Sequence, residues 1–228
     1  MTLLRTVDLT VAYGAVRAVD ALSIDIGAGE LVGLIGPNGA GKTTCIDAIC
    51  GFTPYSGSVV LDGRPLEGIR PDRRARLGVV RSFQQVELFD DLDVRGNLLV
   101  AADGGDVSPA VDAFDIGSLL DRRTTELSEG ERKLVGLARA LTRGPRVLLL
   151  DEPAAGLDTT ESRDLGTRLR RVADSGVGVL LVDHDMELVL GTCDRVHVID
   201  RGRLLASGAP DVVRDHPAVI AAYLGTAT

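Results

Sequence analysis

The sequence predicts an α/β fold in which parallel strands, buried on both faces, alternate with helices. Three strand-length segments, apolar apart from Arg146, support this, at 31–35, 146–150 and 178–182. Uninterrupted apolar residues are typical of strands covered on both sides. A helix-favouring segment at 160–174 joins the second strand to the third. This β-α-β order implies a parallel pair with a right-handed crossover.

The remaining elements follow from alternation and turn residues along the chain. Residues 3–35 are β-rich, since apolar and polar positions alternate before the first buried strand. A helix is expected at about 42–50 and a short strand at 57–61. Strands at 196–206 flank a turn with the sequence Asp-Arg-Gly, which predicts a hairpin. Residues 210–224 are expected to form a closing helical tail.

The middle of the chain differs in character from its two ends. Residues 88–142 are polar, acidic and helix-favouring, apart from one stretch rich in Gly, Ser and Pro. We interpret them as a helical subdomain inserted into an α/β core with a β subdomain. That core is made of residues 1–87 and 143–228.

Composition limits the classes of function. The chain has 228 residues, enough for one large core or one core with a small lobe. Its net charge of −8 argues against broad binding to nucleic acid or anionic lipid, because both need a basic face. No apolar segment approaches the ~20 residues of a membrane span, and no secretory signal core follows Met1. We therefore expect a cytoplasmic protein that needs a partner for any membrane role.

The three cysteines, Cys45, Cys50 and Cys193, form neither a CxxC pair nor a Cys/His cluster with metal spacing. Cys45 and Cys50 fall within one predicted helix. We expect them to be buried and to behave as small apolar residues rather than to bind metal or undergo redox chemistry.

A glycine-rich segment after the first buried strand fits the pattern G-x-x-x-x-G-K-[ST]. Its glycines let backbone N–H groups point at phosphate oxygens, and the following helix adds positive potential. Lys42 is expected to reach the β- and γ-phosphates and the Thr43 hydroxyl to ligate Mg²⁺. The flanking strand and helix disfavour the alternative, a turn with an incidental lysine. The candidate nucleotide-binding residues are Gly36, Pro37, Asn38, Gly39, Ala40, Gly41, Lys42, Thr43 and Thr44.

Two carboxylates, Asp151 and Glu152, follow the buried strand that reaches Leu150. The carboxyl ends of parallel strands are where ligands bind in open α/β sheets. Asp151 is suited to hold Mg²⁺ through water, and Glu152 is suited to polarise an attacking water. Taken alone, the pair could also merely solvate the end of a strand. Beside a phosphate-binding loop, the catalytic interpretation is favoured.

The segment Leu127-Ser128-Glu129-Gly130-Glu131 precedes a helix with apolar residues at helical spacing. The helix N-terminus and the Ser128 hydroxyl can bind an anion. The alternative is an ordinary capping box, with Ser128 as the N-cap and Glu131 three residues later. The two functions are compatible, since a capped helix end still presents free N–H groups.

The order of these motifs resembles that of the ABC ATPases: a phosphate loop, a Leu-Ser-x-Gly-x signature, then Leu-Leu-Leu-Asp-Glu-Pro. The resemblance extends from Tyr13 to Gly225. It implies a P-loop NTPase core of RecA type with an antiparallel β subdomain and an inserted α-helical subdomain. It also implies binding of ATP and Mg²⁺ and hydrolysis of ATP. Segments 151–157, 184–189 and 217–225 are similar to branched-chain amino acid importer ATPases, and lipopolysaccharide-export ATPases share much of the last segment.

The resemblance implies roles for further residues. Tyr13 resembles the aromatic that stacks on adenine, although its pattern alone favours a core residue at a strand end. Gln84 resembles the Q-loop glutamine that contacts Mg²⁺ and couples to the permease, with Gln85 as a competing candidate. Asp158 resembles the D-loop acid that communicates across a dimer. His184 resembles the switch histidine near the γ-phosphate.

The resemblance also implies partners. In the family, Ser128 and Gly130 of one protomer would close over ATP held by the other, in a homodimer or a heterodimer with a second ABC ATPase. Transmembrane permease subunits would hold the dimer at the inner face of the cytoplasmic membrane, and an extracytoplasmic substrate-binding protein would act indirectly. No nucleic acid partner is expected. A soluble, non-transport ABC ATPase is the other alternative, disfavoured by the single cassette and the lack of a heptad run.

One position departs from the family pattern. The signature usually carries Gln where this chain has Glu131. A carboxylate near the partner's triphosphate would be repulsive unless Arg132 or Lys133 screens it, and we expect weakened dimer closure at most.

Overall fold

A computed structural model of the chain describes residues 2–82 and 87–224. The strands are β1 Thr2–Tyr13, β2 Val16–Leu22, β3 Asp25–Gly27, β4 Leu31–Ile35, β5 Ser56–Leu61, β6 Arg64–Pro65, β7 Val79–Ser82, β8 Val147–Asp151, β9 Gly178–Val182, β10 Arg195–Asp200 and β11 Arg203–Gly208. The α-helices are α1 Lys42–Cys50, α2 Pro71–Arg76, α3 Val94–Ala101, α4 Ser108–Phe114, α5 Glu129–Leu141, α6 Thr159–Asp174, α7 Met186–Thr192, α8 Pro210–Arg214 and α9 Pro217–Leu224. Within these described ranges, no helix is both long and apolar enough to cross a bilayer.

The strands form two sheets. In the first, β2, β1, β5 and β6 are antiparallel neighbours, and β3 pairs with β1. The second has the order β11-β10-β4-β9-β8-β7, in which β10 and β11 run antiparallel and the other neighbours run parallel. The predicted parallel pair β8–β9, connected through α6, is therefore confirmed, and so is the predicted hairpin.

The strand β4 shows why the predicted buried strands are apolar throughout. Every one of its residues is buried. Val32 and Leu34 pack into an apolar cluster that includes α1 and the antiparallel sheet, whereas Leu31 and Ile35 pack into a second cluster that includes α6. Successive side chains therefore stabilise opposite layers, and neither face of the strand meets water.

The helix-favouring character predicted for 88–142 is confirmed by α3, α4 and α5, which lie within it. Their core includes Phe114, which is fully buried, and it is continuous with the cluster beneath α6. The division of the chain into a core and an inserted subdomain at residues 88 and 142 stays a prediction.

Two elements of the fold differ from the sequence expectation. The elements α2 and β7 are not apparent in the sequence, because α2 is a short charged run and β7 ends in the polar pair Arg81-Ser82. The predicted helical tail is confirmed, and it consists of the two helices α8 and α9. They separate at Asp215 and His216, just before Pro217, as expected where a proline disfavours helical geometry in the residue before it.

The cysteines are placed as expected. Cys45, Cys50 and Cys193 are all buried and reduced. Burial raises the pKa of Cys45 and of Cys50 to about 12, so both stay as neutral thiols at physiological pH. Their role as small apolar core residues is confirmed.

Candidate nucleotide-hydrolysis site

The candidate site lies at the edge of the parallel sheet where β4, β8 and β9 end side by side. β4 leads into the glycine-rich loop, β8 ends at Asp151 and is followed by Glu152, and β9 leads to Asp183 and His184. Residues far apart in the sequence are thereby brought to one edge, as the motif analysis predicted.

The glycine-rich loop at 36–41 is pressed against neighbouring backbone. Gly36 has a φ of 157° and Gly41 a φ of 104°. A Cβ on Gly36 would lie 2.1 Å from the carbonyl oxygen of Ile199, and a Cβ on Gly41 would lie 2.2 Å from that of Ala18. No side chain fits at either position, which is why glycine is required there. The loop leads directly into the unpaired N–H groups at the start of α1.

The predicted loop residues fall into three classes of exposure. Ala40 and Lys42 are buried. Gly36, Pro37, Gly41 and Thr44 are half-buried, and Asn38, Gly39 and Thr43 are exposed. The Lys42 ammonium folds over the loop, where Nζ donates to the carbonyl oxygens of Gly36 at 2.7 Å and Pro37 at 3.1 Å. Burial lowers the pKa of Lys42, and the carboxylates of Glu152 and Asp151 act in the opposite direction. Its partners in the loop are neutral carbonyls, so the positive charge of Lys42 is available to bind an anion.

Asp151 accepts hydrogen bonds from Thr43, at the start of α1, and from the guanidinium of Arg81. The Thr43 hydroxyl donates to Asp151 Oδ1 at 3.3 Å, and Arg81 Nη2 donates to Oδ2 at 2.8 Å. Arg81 also pairs with Asp47 of α1. The role of Arg81 was missed in the sequence. A hint was available, since a charged residue in a strand of a buried sheet needs a charged partner nearby.

Glu152 and His184 lie at the ends of the adjacent strands β8 and β9. Glu152 has a φ of 51°, a left-handed conformation that costs a non-glycine residue about 1–3 kcal/mol. Its N–H donates to the carbonyl oxygen of Val182 at 2.7 Å. The side chain of His184 is 65% exposed, and its Nδ1 lies 3.6 Å from Asp183 Oδ1. Both side chains therefore stand at the edge to which the phosphate loop belongs.

The predicted capping box at the start of α5 is confirmed. The N–H of Glu131 donates to Ser128 Oγ at 3.2 Å, and the N–H of Ser128 donates to Glu131 Oε2 at 2.7 Å. Arg122 Nη1 donates to Glu131 Oε1 at 2.7 Å. Arg122 is therefore the cation that pairs with Glu131, whereas Arg132 pairs with Asp90 and Lys133 with Glu129. The screening arginine precedes the signature and comes from outside the helix.

The signature is packed against the start of α6 in the same chain. Asp158 is the N-cap of α6, where it accepts from the N–H groups of Thr160 and Glu161 at 2.8 and 2.9 Å. A Cβ on Gly130 would lie 2.9 Å from Glu161 Oε1. Gly130 of the signature and the first turn of α6, which Asp158 caps, are therefore in close contact.

The remaining predicted residues are Tyr13 and Gln84. Tyr13 is 55% exposed at the end of β1, with its hydroxyl 3.3 Å from Thr53 Oγ1. The interpretation of Tyr13 as a core residue is therefore wrong, and its ring is accessible to a ligand. Gln84 and its competitor Gln85 lie outside the described residues.

The geometry first defines a class. A phosphate loop between a buried strand and a helix, with two acidic residues at the end of a parallel strand in the same sheet, characterises a P-loop nucleoside-triphosphatase. The fold class predicted from the sequence is therefore confirmed.

Comparisons with known proteins narrow this class. The family model described as ABC transporter matches residues 19–155, and that described as branched-chain amino acid ATP-binding cassette transporter matches residues 203–228. The chain is 38% identical to the high-affinity branched-chain amino acid transport ATP-binding protein LivG of Salmonella typhimurium, over 96% of each protein. It is 34% identical to the lipopolysaccharide export system ATP-binding protein LptB of Escherichia coli, over 99% of this chain and 98% of LptB. The chain belongs to the ABC transporter family, as one of its ATP-hydrolysing subunits.

A solved structure agrees with this assignment. The ADP conformation of MJ1267, an ATP-binding cassette of an ABC transporter, has a TM-score of 0.91 to this chain and 28% sequence identity. The match covers 99% of both chains, so the architecture is shared throughout.

Proposed function

We propose that this chain drives the import of branched-chain or related amino acids by hydrolysing ATP. The observation that carries the proposal is the match of its C-terminal residues 203–228 to the branched-chain amino acid cassette model, beside 38% identity to LivG. The test is ATP-dependent uptake of labelled leucine into vesicles that contain this chain with its cognate permease and binding protein. Uptake that is unchanged when this chain is omitted would reject the proposal.

The residues that follow the ends of the parallel strands, together with Tyr13, suit the separate steps of ATP hydrolysis. Lys42 and the loop N–H groups bind the phosphates, Tyr13 stacks on the base, and Glu152 accepts the proton of the attacking water. His184 bonds to the γ-phosphate. Each of these roles is supported by the placement of the side chain at the same sheet edge or on an accessible surface.

A magnesium ion suits this edge. The oxygens of Thr43 and Asp151 already lie 3.3 Å apart, and Mg²⁺ prefers oxygen ligands of this kind. Thr43, Asp151 and Gln84 are proposed to hold the ion directly or through water. When bound, Mg²⁺ neutralises charge on the phosphates.

The active form is proposed to be a dimer, either with a second copy or with a second ABC ATPase. Ser128 and Gly130 would close over the nucleotide held by the partner, and Asp158 would lie at the interface. The exposed, capped end of α5 supports this, because its free N–H groups can receive a phosphate. ATP that binds the closed dimer more tightly than the open one shifts the equilibrium by that difference in affinity.

The transmembrane partner is proposed to dock beside α3 and α5 in a cleft of about 1050 Å³, which Thr43, Asp151 and Glu152 of the candidate site also line. Exposed apolar side chains, Phe89 and Val100, line it together with Arg139 and Arg143. Docking there would hold the chain at the inner face of the cytoplasmic membrane and link it indirectly to a substrate-binding protein. Fractionation of cells with and without the permease genes tests this, since membrane association that survives permease deletion contradicts it.

Lipopolysaccharide export is the second candidate, favoured by the 34% identity to LptB. The leucine-uptake assay separates the two, because an export ATPase would bind its permease and hydrolyse ATP without supporting uptake. A chain that stays in the soluble fraction with or without permease would instead favour a non-transport ABC ATPase. No nucleic acid partner is proposed.

A further inference from the structure

Asp183 lies at the end of β9, between the loop that carries Glu152 and the loop that carries His184. We propose that Asp183 is a positioning residue that holds these two loops in one fixed arrangement for hydrolysis. The inference rests on the roles proposed above for Glu152 and His184. Asp183 itself touches neither nucleotide nor water in this proposal.

Both carboxylate oxygens of Asp183 are used, and they bond to different loops. Oδ1 accepts from the N–H groups of His184 at 2.8 Å and Asp185 at 3.0 Å. Oδ2 accepts from the N–H of Ala154 at 3.0 Å, across 29 residues of sequence. The side chain is 0% exposed, so water does not compete for these bonds. The carboxylate therefore cross-links the two loops through their backbones.

The bond to Ala154 lies where the chain needs support. Glu152 holds a strained φ of 51°, and strained residues persist only where their surroundings fix them. The N–H of Glu152 donates to Val182, which fixes the turn at its start. Pro153 has no N–H to donate. Ala154 is thus the next donor along the chain, and its bond to Asp183 ties the turn to the end of β9, while the N–H of Ala155 closes the turn on the carbonyl oxygen of Glu152 at 3.2 Å.

If Asp183 stabilised only its own loop, the bond to Ala154 would not be needed. Oδ1 accepts from the two N–H groups that follow Asp183. This forms an Asx-type turn, which a serine can also make, though more weakly. The bond from Oδ2 is different because it joins β9 to the segment after β8. Preorganised groups lose much of their catalytic effect when they are displaced by about 1 Å. Relative movement of the loops that carry Glu152 and His184 should therefore slow turnover.

The test compares two substitutions of Asp183 with a control at another aspartate that accepts from a backbone N–H, although its side chain is 48% exposed. Asp183→Asn keeps the shape but replaces one acceptor oxygen by a donor, and Asp183→Ser keeps the local turn but is too short to reach Ala154. The control is Asp194→Asn at the opposite end of β4. Asp194 also accepts from a backbone N–H, that of Leu31 at 2.8 Å, and from Arg170 at 2.8 Å.

For both Asp183 variants we expect kcat to fall about tenfold to a hundredfold while the ATP dissociation constant stays near that of the parent. Hydrogen–deuterium exchange should accelerate at 152–155 in both variants and stay near the parent value at 183–186, because the serine hydroxyl and the remaining amide oxygen can both keep the local turn. Asp194→Asn should retain kcat.

Two results would overturn the inference: a kcat in both Asp183 variants that matches the control, or faster exchange spread over the whole chain. If Asp183→Asn does not fold, Asp183→Ser decides alone. Failure of the proposed function is visible separately, as normal turnover in Glu152→Gln.

Discussion

The phosphate edge of the parallel sheet and the N-terminal end of α5 both offer N–H groups to an anion, but they are built differently. At the sheet edge, Lys42, Asp151 and Asp183 are nearly buried, and their polar atoms bond to other parts of the same chain. At the start of α5, Ser128 is exposed, and its hydroxyl and N–H bond to Glu131 of the same helix. The polar atoms of the first region are held by distant parts of the chain, whereas the Ser128 hydroxyl is held by its own helix and faces solvent. Substitutions in the first should therefore affect the isolated chain, and those in the second should act only when two chains meet.

The largest effect is expected at the sheet edge, on turnover. Glu152→Gln should lower the rate of phosphate release about a thousandfold, because an amide cannot accept the proton of the attacking water. ATP binding should persist, so an ATP-bound dimer should accumulate on size-exclusion chromatography. Glu67→Gln, in an acid that bonds to β5 instead, is the control and should turn over normally. Near-normal hydrolysis by Glu152→Gln would mean that another group activates water.

Affinity should respond most to Lys42. Lys42→Ala removes the charge-assisted bonds to the phosphates that we propose for this lysine, and the dissociation constant for ATP should rise about a hundredfold. Lys133, the chain's other lysine, pairs with Glu129 on α5 and provides a matched control, since Lys133→Ala should bind ATP almost normally. Isothermal calorimetry on the isolated chain measures both. Equal affinities in the two variants would remove Lys42 from the site.

The end of α5 should behave in the opposite way. Ser128→Arg should leave the ATP affinity of the monomer unchanged and eliminate cooperative hydrolysis, because in the proposed dimer this residue meets only the partner's nucleotide. Ser128→Asn is the control, since asparagine also caps a helix and adds no charge. ATP titrations at concentrations below and above dimerisation separate the two effects. A loss of monomer affinity as large as that of Lys42→Ala would place Ser128 in its own chain's site.

The smallest effect concerns the capping box and depends on pH. The N–H of Ser128 and then Arg122 hold the pKa of Glu131 below its usual value of 4.5. A depressed pKa contributes stability that is present above 4.5 and lost as the pH falls through the lower folded value. Glu131→Ala should therefore lower the free energy of unfolding by about 1 kcal/mol at neutral pH and by less in acid. Urea titrations at both pH values test this, with Glu131→Gln as the control that can keep the bond to Ser128. A difference that grows in acid would contradict the sign.

Much of the fold was accessible from the sequence because its strands bury both faces. The predicted strands at 31–35, 146–150 and 178–182 agree with β4, β8 and β9 to within a residue at either end. The helix α2 was not accessible, because it contributes one buried side chain, Arg74, to the interior and is otherwise polar. A periodic apolar pattern cannot identify an element that buries a charge.

The site was predictable where the chain brings its residues together locally. The loop from Gly36 to Thr43 and the cap at Ser128 follow from neighbours a few positions apart. Arg81 and Arg122 did not follow, because their ion pairs with Asp151 and Glu131 depend on how separate elements pack. Asp183 belongs to the same group, since its bond to Ala154 exists only after β8 and β9 align.

The strand order also governs when a newly made chain can first hold its nucleotide. β4 and the phosphate loop are synthesised early, yet the neighbours of β4 are β9, Gly178–Val182, and β10, Arg195–Asp200. The first glycine of the loop also packs on Ile199. On the ribosome, β1, β2, β3, β5 and β6 can pair long before that point, whereas β4 waits for the last quarter of the chain. ATP therefore cannot stabilise the early stages of synthesis and can act only on the nearly complete protein. Ribosome-bound chains that end before Gly178 should accordingly fail to retain an ATP analogue, and those that expose β10 and the hairpin should retain it.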